Sequence, residues 1–129
     1  MFDALDIGAS GLTVQRMRMD IMAANVANVN TDMDANGKNN PYRRRFAVLA
    51  PGQAGDPSKP GVHVKEVKQD ASPFIPKWDE GTQAWINTPN VDPTVEFVNS
   101  IEASRAYEAN VTMMEVTKSM INASLRLLA

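Results

Sequence analysis

All eight prolines of this 129-residue chain fall between Pro41 and Pro93. Proline removes a backbone donor and clashes with the preceding helical turn, so proline-free flanks can run as unbroken helices while the middle must bend. The chain therefore reads as three segments: an N-terminal assembly helix over 1–30, a small β and loop region over 31–90, and a C-terminal assembly helix over 91–129. The expected fold class is mainly α with a small β element. Its long terminal helices pair as an elongated coiled-coil-like unit, with a short β-hairpin and loops between them.

The first helix is expected over Asp3–Asn28. Leu5, Leu12, Met19 and Val26 recur every seven residues, and Ala9, Met22 and Val29 add to the same side. A seven-residue apolar repeat keeps one stripe in register and favours coiled-coil packing. Gly8 and Gly11 are expected to leave the first turns loose until a partner packs on them. The helix ends in "MAANVANVNT", with Asn25, Asn28 and Asn30 crowded into six residues. Asn is disfavoured in helix interiors and prefers caps and turns. Asn25 and Asn28 share a helical face, and Asn30 falls where the chain turns away. Their amides are expected to bond the neighbouring terminal helix or the chain turn and so fix register; ordinary capping is the plainer alternative.

The last segment opens with "NVDPTVEF". Asp92 suits an N-cap, Pro93 the first helical position, and Glu96 the positive end of the helix dipole. Ala106, Ala109, Met113, Val116, Met120, Ala123 and Leu127 then recur in steps of three and four, an a/d seam. A second apolar row, Val111, Met114, Ile121, Leu125 and Leu128, lies on another side. One partner cannot cover both rows, so this helix expects several neighbours.

Between the helices, Tyr42, Arg44, Phe46 and Val48 alternate with Arg43, Arg45, Ala47 and Leu49, and Val62, Val64 and Val67 form a second alternating run. These predict a hairpin, joined through "APGQAGDPSKPG" as a flexible loop. "SPFIPKWDEG" and "QAWINTPN" read as irregular segments, with Phe74, Trp78 and Trp85 expected to pin them to the body.

A helix from Pro93 to Leu128 would span about 53 Å at roughly 1.5 Å per residue. A compact globule of this length is only about 36 Å across. Elongation is expected, and with it exposed apolar surface. Burying even about 800 Å² of such surface contributes on the order of 20 kcal/mol before ordering costs, ample drive for assembly.

Candidate chemistry is sparse. The chain has no cysteine and one histidine, which leaves no thiolate or multi-histidine metal site and no thiol catalysis. His63 reads as a solvent-facing strand residue. No nucleophile elbow or phosphate-binding glycine loop is present. "DMDANGKNN" begins like a calcium loop, but Arg43 falls where the bidentate Glu belongs, so it reads as a polar turn. Arg43–Arg45 would alternate faces in a strand, and a net charge of −2 gives no reason to expect nucleic acid. Salt bridges to a neighbouring subunit are the preferred role for them. Methionines cluster in both helices, as core packing or as adaptable contacts to unlike neighbours. Asp3 and Asp6 and the lack of an unbroken apolar stretch give no expectation of a cleavable signal peptide or a membrane span. No cofactor, metal or catalytic residue is expected.

"AANVANVNT" resembles the N-terminal signature of the bacterial flagellar axial proteins of the rod and hook, and "PNVDPTVEFVNSIEASRAYEANVTMMEVTKSM" resembles their C-terminal counterpart. The polar insertion followed by "PYRRRF", with "PNVD" and "SRAYEANV", is most similar to the proximal rod members; the short middle segment does not suit the large central domains of hook and distal-rod members. Asn25, Asn28 and Asn30 match the first signature. Asn90, Val91, Asp92, Glu96, Asn99, Ser104, Arg105, Tyr107, Asn110 and Lys118 match the second, while Phe97 and Glu115 depart from it.

The resemblance implies a structural subunit of the basal-body proximal rod. Its terminal helices would pack with other subunits into a hollow, torque-transmitting shaft around the export channel, after export through the flagellar type III apparatus. Implied partners are another proximal rod protein, a distal rod protein and the rod–ring junction protein, with no direct membrane insertion. The assembly interface is expected to use Leu5, Leu12, Met19 and Val26, the three asparagines, Asn90 and Asp92. On the C-terminal helix it would use Arg105, Tyr107, Asn110, Met113, Val116, Met120 and Leu127. A small helical adaptor docking on a single partner is the alternative.

Overall fold

The computed structural model describes residues 2–129; Met1, the first residue of the expected N-terminal segment, lies outside the described residues. Two long helices, α1 (Phe2–Ala27) and α2 (Pro93–Leu128), flank four strands: β1 (Arg45–Pro51), β2 (Val62–Gln69), β3 (Ile75–Asp79) and β4 (Ala84–Thr88). The strands form two separate antiparallel hairpins, β1–β2 and β3–β4. With 26 and 36 residues, the helices extend about 39 and 54 Å. The long, paired unit anticipated from the heptads is present, and α2 runs its whole length without a break.

The helices are antiparallel. Gly8 lies against Met114, Gly11 against Asn110, and Asn25 meets Glu96 at the other end. In that register the last turns of α2 run beyond the described part of α1. The two glycines have a different role from the one expected. A Cβ added at Gly8 would lie 2.7 Å from Met114 Cγ, and one at Gly11 would lie 2.7 Å from Asn110 Nδ2. Their missing side chains make room for the Met114 and Asn110 side chains against the α1 backbone.

The hairpin β1–β2 rests on α1, with the Val62 amide donating to Ser10 Oγ at 3.1 Å. Its register shifts between Val48 and Leu49, leaving Lys65 as an extra residue in β2. The bulge resets the alternation, so Val67 shares a face with Val62 and Val64 despite the odd spacing. The connection expected to be flexible is instead tightly bonded. The Gly52 amide donates to Gly61 O at 2.9 Å, Gln53 Nε2 donates to Pro60 O at 3.2 Å, and His63 Nδ1 lies 2.9 Å from Gly52 O. Gly52 has φ +92°, and a Cβ there would strike the Pro57 backbone at 2.7 Å. His63 is therefore half-buried and engaged, not solvent-facing.

The segments expected to be irregular form the hairpin β3–β4. Trp78 and Trp85 face each other across it, ring centroids 5.7 Å apart in a T-shaped pair. They hold the two strands to each other rather than to the body, which corrects the expectation that they pin this region down. Both remain exposed, at 47% and 69%. Phe74 does reach the body, lying under the Arg43 guanidinium 4.1 Å from its ring centre.

Little apolar surface is sealed within the chain. Among the described residues the buried hydrophobic side chains are Val14, Met22, Val91 and Ala103, and the largest fully buried ones include Glu96 and Asn25.

Candidate functional site

The two helices are joined to the middle region by a polar clasp at one end of the bundle. Asn25, on the last turn of α1, is fully buried and uses its whole bonding capacity. Its Nδ2 donates to Arg45 O at 2.8 Å and to Glu96 Oε2 at 3.4 Å. Its Oδ1 accepts from Tyr42 Oη at 2.9 Å and from the Arg45 amide at 3.0 Å. An amide offers two donor hydrogens and two acceptor lone pairs, and all four are matched. The backbone entering β1 is thereby attached to α1 as if to a neighbouring strand.

Glu96 completes the connection from the first turn of α2. Asp92 caps that helix, accepting from the Thr94 amide at 2.9 Å, and Pro93 occupies its first turn. The Glu96 carboxylate, with no side-chain exposure, accepts from Arg44 Nε. Arg44 Nη1 also reaches Asp70 Oδ2 at 3.3 Å, and the Arg44 amide donates to Asn90 Oδ1 at 2.8 Å. Asn90 Nδ2 and Arg43 Nη1 both donate to the carbonyls of Asp70 and Ser72. Hydrogen bonds from the Ser72 hydroxyl and amide hold the Asp70 carboxyl below the usual carboxylate range, outweighing the opposing effect of burial, with a lesser contribution from the Arg44 guanidinium. A buried ion pair is weak evidence of stability, but it fixes geometry strongly because an unpaired buried charge is costly.

This clasp bears on the reading of "RRR". Arg44 is paired with Glu96 and Asp70, Arg43 is bonded to carbonyls and stacked on Phe74, and Arg45 lies over the Tyr42 ring at 5.6 Å. Arg43 and Arg44 are thus engaged inside their own chain, whereas Arg45 is exposed and makes no ion pair among the described residues. The three asparagines divide as well. Asn25 bonds α2 and the β1 backbone. Asn28 is a local cap, its Nδ2 donating to Ala24 O at 2.8 Å and its Oδ1 accepting from Thr31 Oγ1 at 3.2 Å. Asn30 is exposed. Tyr42, Arg44, Asp70 and Glu96 were not recognised as a group from the sequence; their only local signal is the density of polar residues just outside the helix ends.

Beyond the clasp, α2 presents two different sides. The side toward α1 is built from the small or polar residues Ser100, Ala103, Asn110 and Thr117 together with Met114 and Ile121, all buried or half-buried. Tyr107 is half-buried there too. The seam predicted from sequence lies about a third of a turn away and is uncovered. Met113 is 63% exposed, Val116 50%, Met120 60% and Leu127 88%, with Ala109, Ala123 and Arg105 exposed among them. On α1, Leu5, Leu12, Met19 and Val26 are half-buried. Asn90, Asp92 and Asn110 are engaged within the chain.

Among the described residues no cluster of side chains could hold a metal ion, and no helix is long and apolar enough to cross a membrane. The local turn at 32–40 is organised by Asp34 Oδ1, which accepts from the Asn36 and Lys38 amides.

Two family descriptions match the chain: flagella basal body rod protein over residues 5–32, and flagellar basal body rod FlgEFG protein C-terminal over residues 82–127. The matched stretches are α1 with its capped end, and β4 with α2. Flagellar basal-body rod protein FlgC of Bacillus subtilis is 34% identical, over 98% of this chain and 97% of its own. FlgC of Borreliella burgdorferi is 33% identical over 99% and 97%, and FlgC of an Escherichia coli O6:H1 strain is 32% identical over 98% and 97%. With both helical signatures matched and relatives similar from end to end, the chain belongs to the flagellar basal-body rod protein family, alongside the FlgC proteins.

Proposed function

We propose that this protein works purely as a structural piece of the flagellar rod, its α2 seam covered by neighbouring rod subunits in a hollow shaft that carries torque and surrounds the export channel. The observation that carries this reading is the division of labour on α2. Small and polar residues with Met114 and Ile121 close the helix pair within the chain, while most of the large apolar residues of α2 stay outside it. Covering a fully exposed side chain of this kind contributes about 1.5–3 kcal/mol. The exposed fractions of Met113, Val116, Met120 and Leu127 therefore represent about 4–8 kcal/mol per subunit before ordering costs. The interface includes those four residues with Arg105, and the half-buried row Leu5, Leu12, Met19 and Val26 borders it.

The partners are other rod subunits, proximal and distal, with the rod–ring junction protein at one end; the chain reaches them through the flagellar export apparatus. It carries out no catalysis. The test is a charge placed in the seam. Met113→Glu or Val116→Glu should leave the isolated chain folded, with the helical signal and unfolding midpoint of the parent, and should abolish incorporation into basal bodies and motility. Normal rods containing either variant would reject the seam as an interface. A discrete one-to-one complex with a single protein, and no chain in basal bodies, would favour an adaptor.

A further inference from the structure

The β3–β4 hairpin is an arm. It packs on neither helix and not on the β1–β2 hairpin. Its base is fixed by Asn39, whose Nδ2 donates to Asn87 O at 2.8 Å and whose Oδ1 accepts from the Asn87 amide at 3.0 Å. Its tip is fixed by Asp79, which accepts from the Gly81 and Thr82 amides and from Thr82 Oγ1. A lone two-stranded hairpin is marginal in water, yet this one presents Trp85 at 69% exposure beside Trp78 at 47%. Pairing across the strands places both on one face with Pro76 and Asn87. Neither indole N–H has an acceptor among the described residues. Large aromatic side chains held rigidly and left bare are the usual anchors of protein interfaces.

A matching hollow exists elsewhere on the chain. Between α1 and the β1–β2 hairpin lies an open cleft of about 530 Å³, walled by Ala9, Val14, Met17, Val62 and Val64. Clefts of roughly 300–1,000 Å³ accommodate groups larger than an indole. Asp6, on the same cleft, offers a carboxylate acceptor with no partner among the described residues. The arm cannot fill this cleft in its own chain. It is rooted past the end of α1, while Ala9 is about 27 Å back along that helix.

We infer that the Trp78–Trp85 arm of one subunit docks into the α1/β1–β2 cleft of a second copy of this chain, displaced along the helix axis. Knob and hollow occupy different surfaces, so the contact is head-to-tail and can pass from copy to copy instead of ending in a two-fold pair. Two indoles of about 150–250 Å² each fall well short of the roughly 800 Å² per partner of a stable dimer. The contact is therefore weak for an isolated pair and useful only where copies are already held side by side. In that respect it rests on the rod reading.

The chain has no cysteine, which permits a direct test. Ala54, exposed on the cleft rim, and Asn87, exposed beside Trp85, are both changed to Cys in one chain, and basal bodies isolated from cells making it are oxidised. The expected result is a ladder of dimers and higher multiples of this chain, reduced about tenfold or more by Trp85→Ala. The chain present in basal bodies without that ladder, a ladder indifferent to Trp85→Ala, or disulfides only to a different rod protein would each overturn the arm–cleft contact alone. The chain absent from basal bodies when the parent protein is also absent would overturn the rod reading and this inference with it.

Discussion

Replacing Asn25 by Ala removes the side chain that both terminal segments share. Its four hydrogen bonds tie the Arg45 amide and carbonyl, the Tyr42 hydroxyl and the Glu96 carboxylate to α1. Leaving a buried polar group without a partner costs about 1–3 kcal/mol. The 3.4 Å bond to Glu96 is the weakest of the four, and water can reach part of exposed Arg45, so roughly two full penalties apply. Against them, Ala gains about 0.6 kcal/mol in helix propensity. The net loss is about 1.5–5 kcal/mol, a large share of the roughly 5–15 kcal/mol typical of a whole domain. Urea unfolding followed by circular dichroism should show the midpoint falling steeply. Asn28→Ala, which removes only an exposed cap to Ala24 and Thr31, should lose no more than about 1 kcal/mol. Equal losses at the two positions, or a loss below about 1 kcal/mol for Asn25→Ala, would refute the assignment of the clasp as the joint of the fold.

Gly52→Ala should destabilise by more than about 2 kcal/mol, because it combines a left-handed backbone with a 2.7 Å approach to the Pro57 backbone. Gly37→Ala, also left-handed but with nothing within 4 Å, should cost only about 1–2 kcal/mol; unfolding midpoints compare them. Asp70 and Asp79 are both held below their ordinary pKa of 3.8, the first chiefly by Ser72 and the second chiefly by the Thr82 hydroxyl. A lowered folded-state pKa contributes stability that is complete above the unfolded value and is lost as pH falls through the folded one. Stability should therefore carry no dependence on these groups above about pH 5 and decline below about pH 4, with Asp70→Asn flattening the acid limb of a pH titration. In the seam, Val116→Glu should change the unfolding free energy of the isolated chain by less than about 0.5 kcal/mol while eliminating rods, read by electron microscopy of basal-body fractions.

The long helices were legible because their signals are local. Proline-free flanks, a sevenfold repeat, and the Asp92–Pro93 cap each act within a few residues, and α2 begins where they place it. The β1–β2 pairing was legible from alternation, although the Lys65 bulge was not. The β3–β4 hairpin was missed because Pro76 interrupts one strand and its loop, Glu80–Gln83, lacks a two-residue turn signature; Gln83 instead adopts φ +51°. The apolar a/d pattern of α2 was visible, and the second row supplies Met114 and Ile121 to the side facing α1, but the rest of that contact was not legible. Asn110, Thr117 and the glycines opposite carry no hydrophobic signal. The clasp was half legible. Asn25 stood out as an oddity in its helix, whereas Arg44 and Glu96, 52 residues apart in sequence, are recognisable as partners only after the chain has folded.

The antiparallel arrangement brings the described starts of α1 and finish of α2 to one end of the molecule, with the clasp at the other. Tension applied between them peels the helices apart a turn at a time, as a zipper opens, and each turn resists only through thin contacts such as Gly8 on Met114. A pull along the helix axis against a held middle region meets the Asn25–Arg44–Glu96 knot instead and must shear several bonds at once. The same molecule is thus soft to unravelling from its tips and stiff to load along its length.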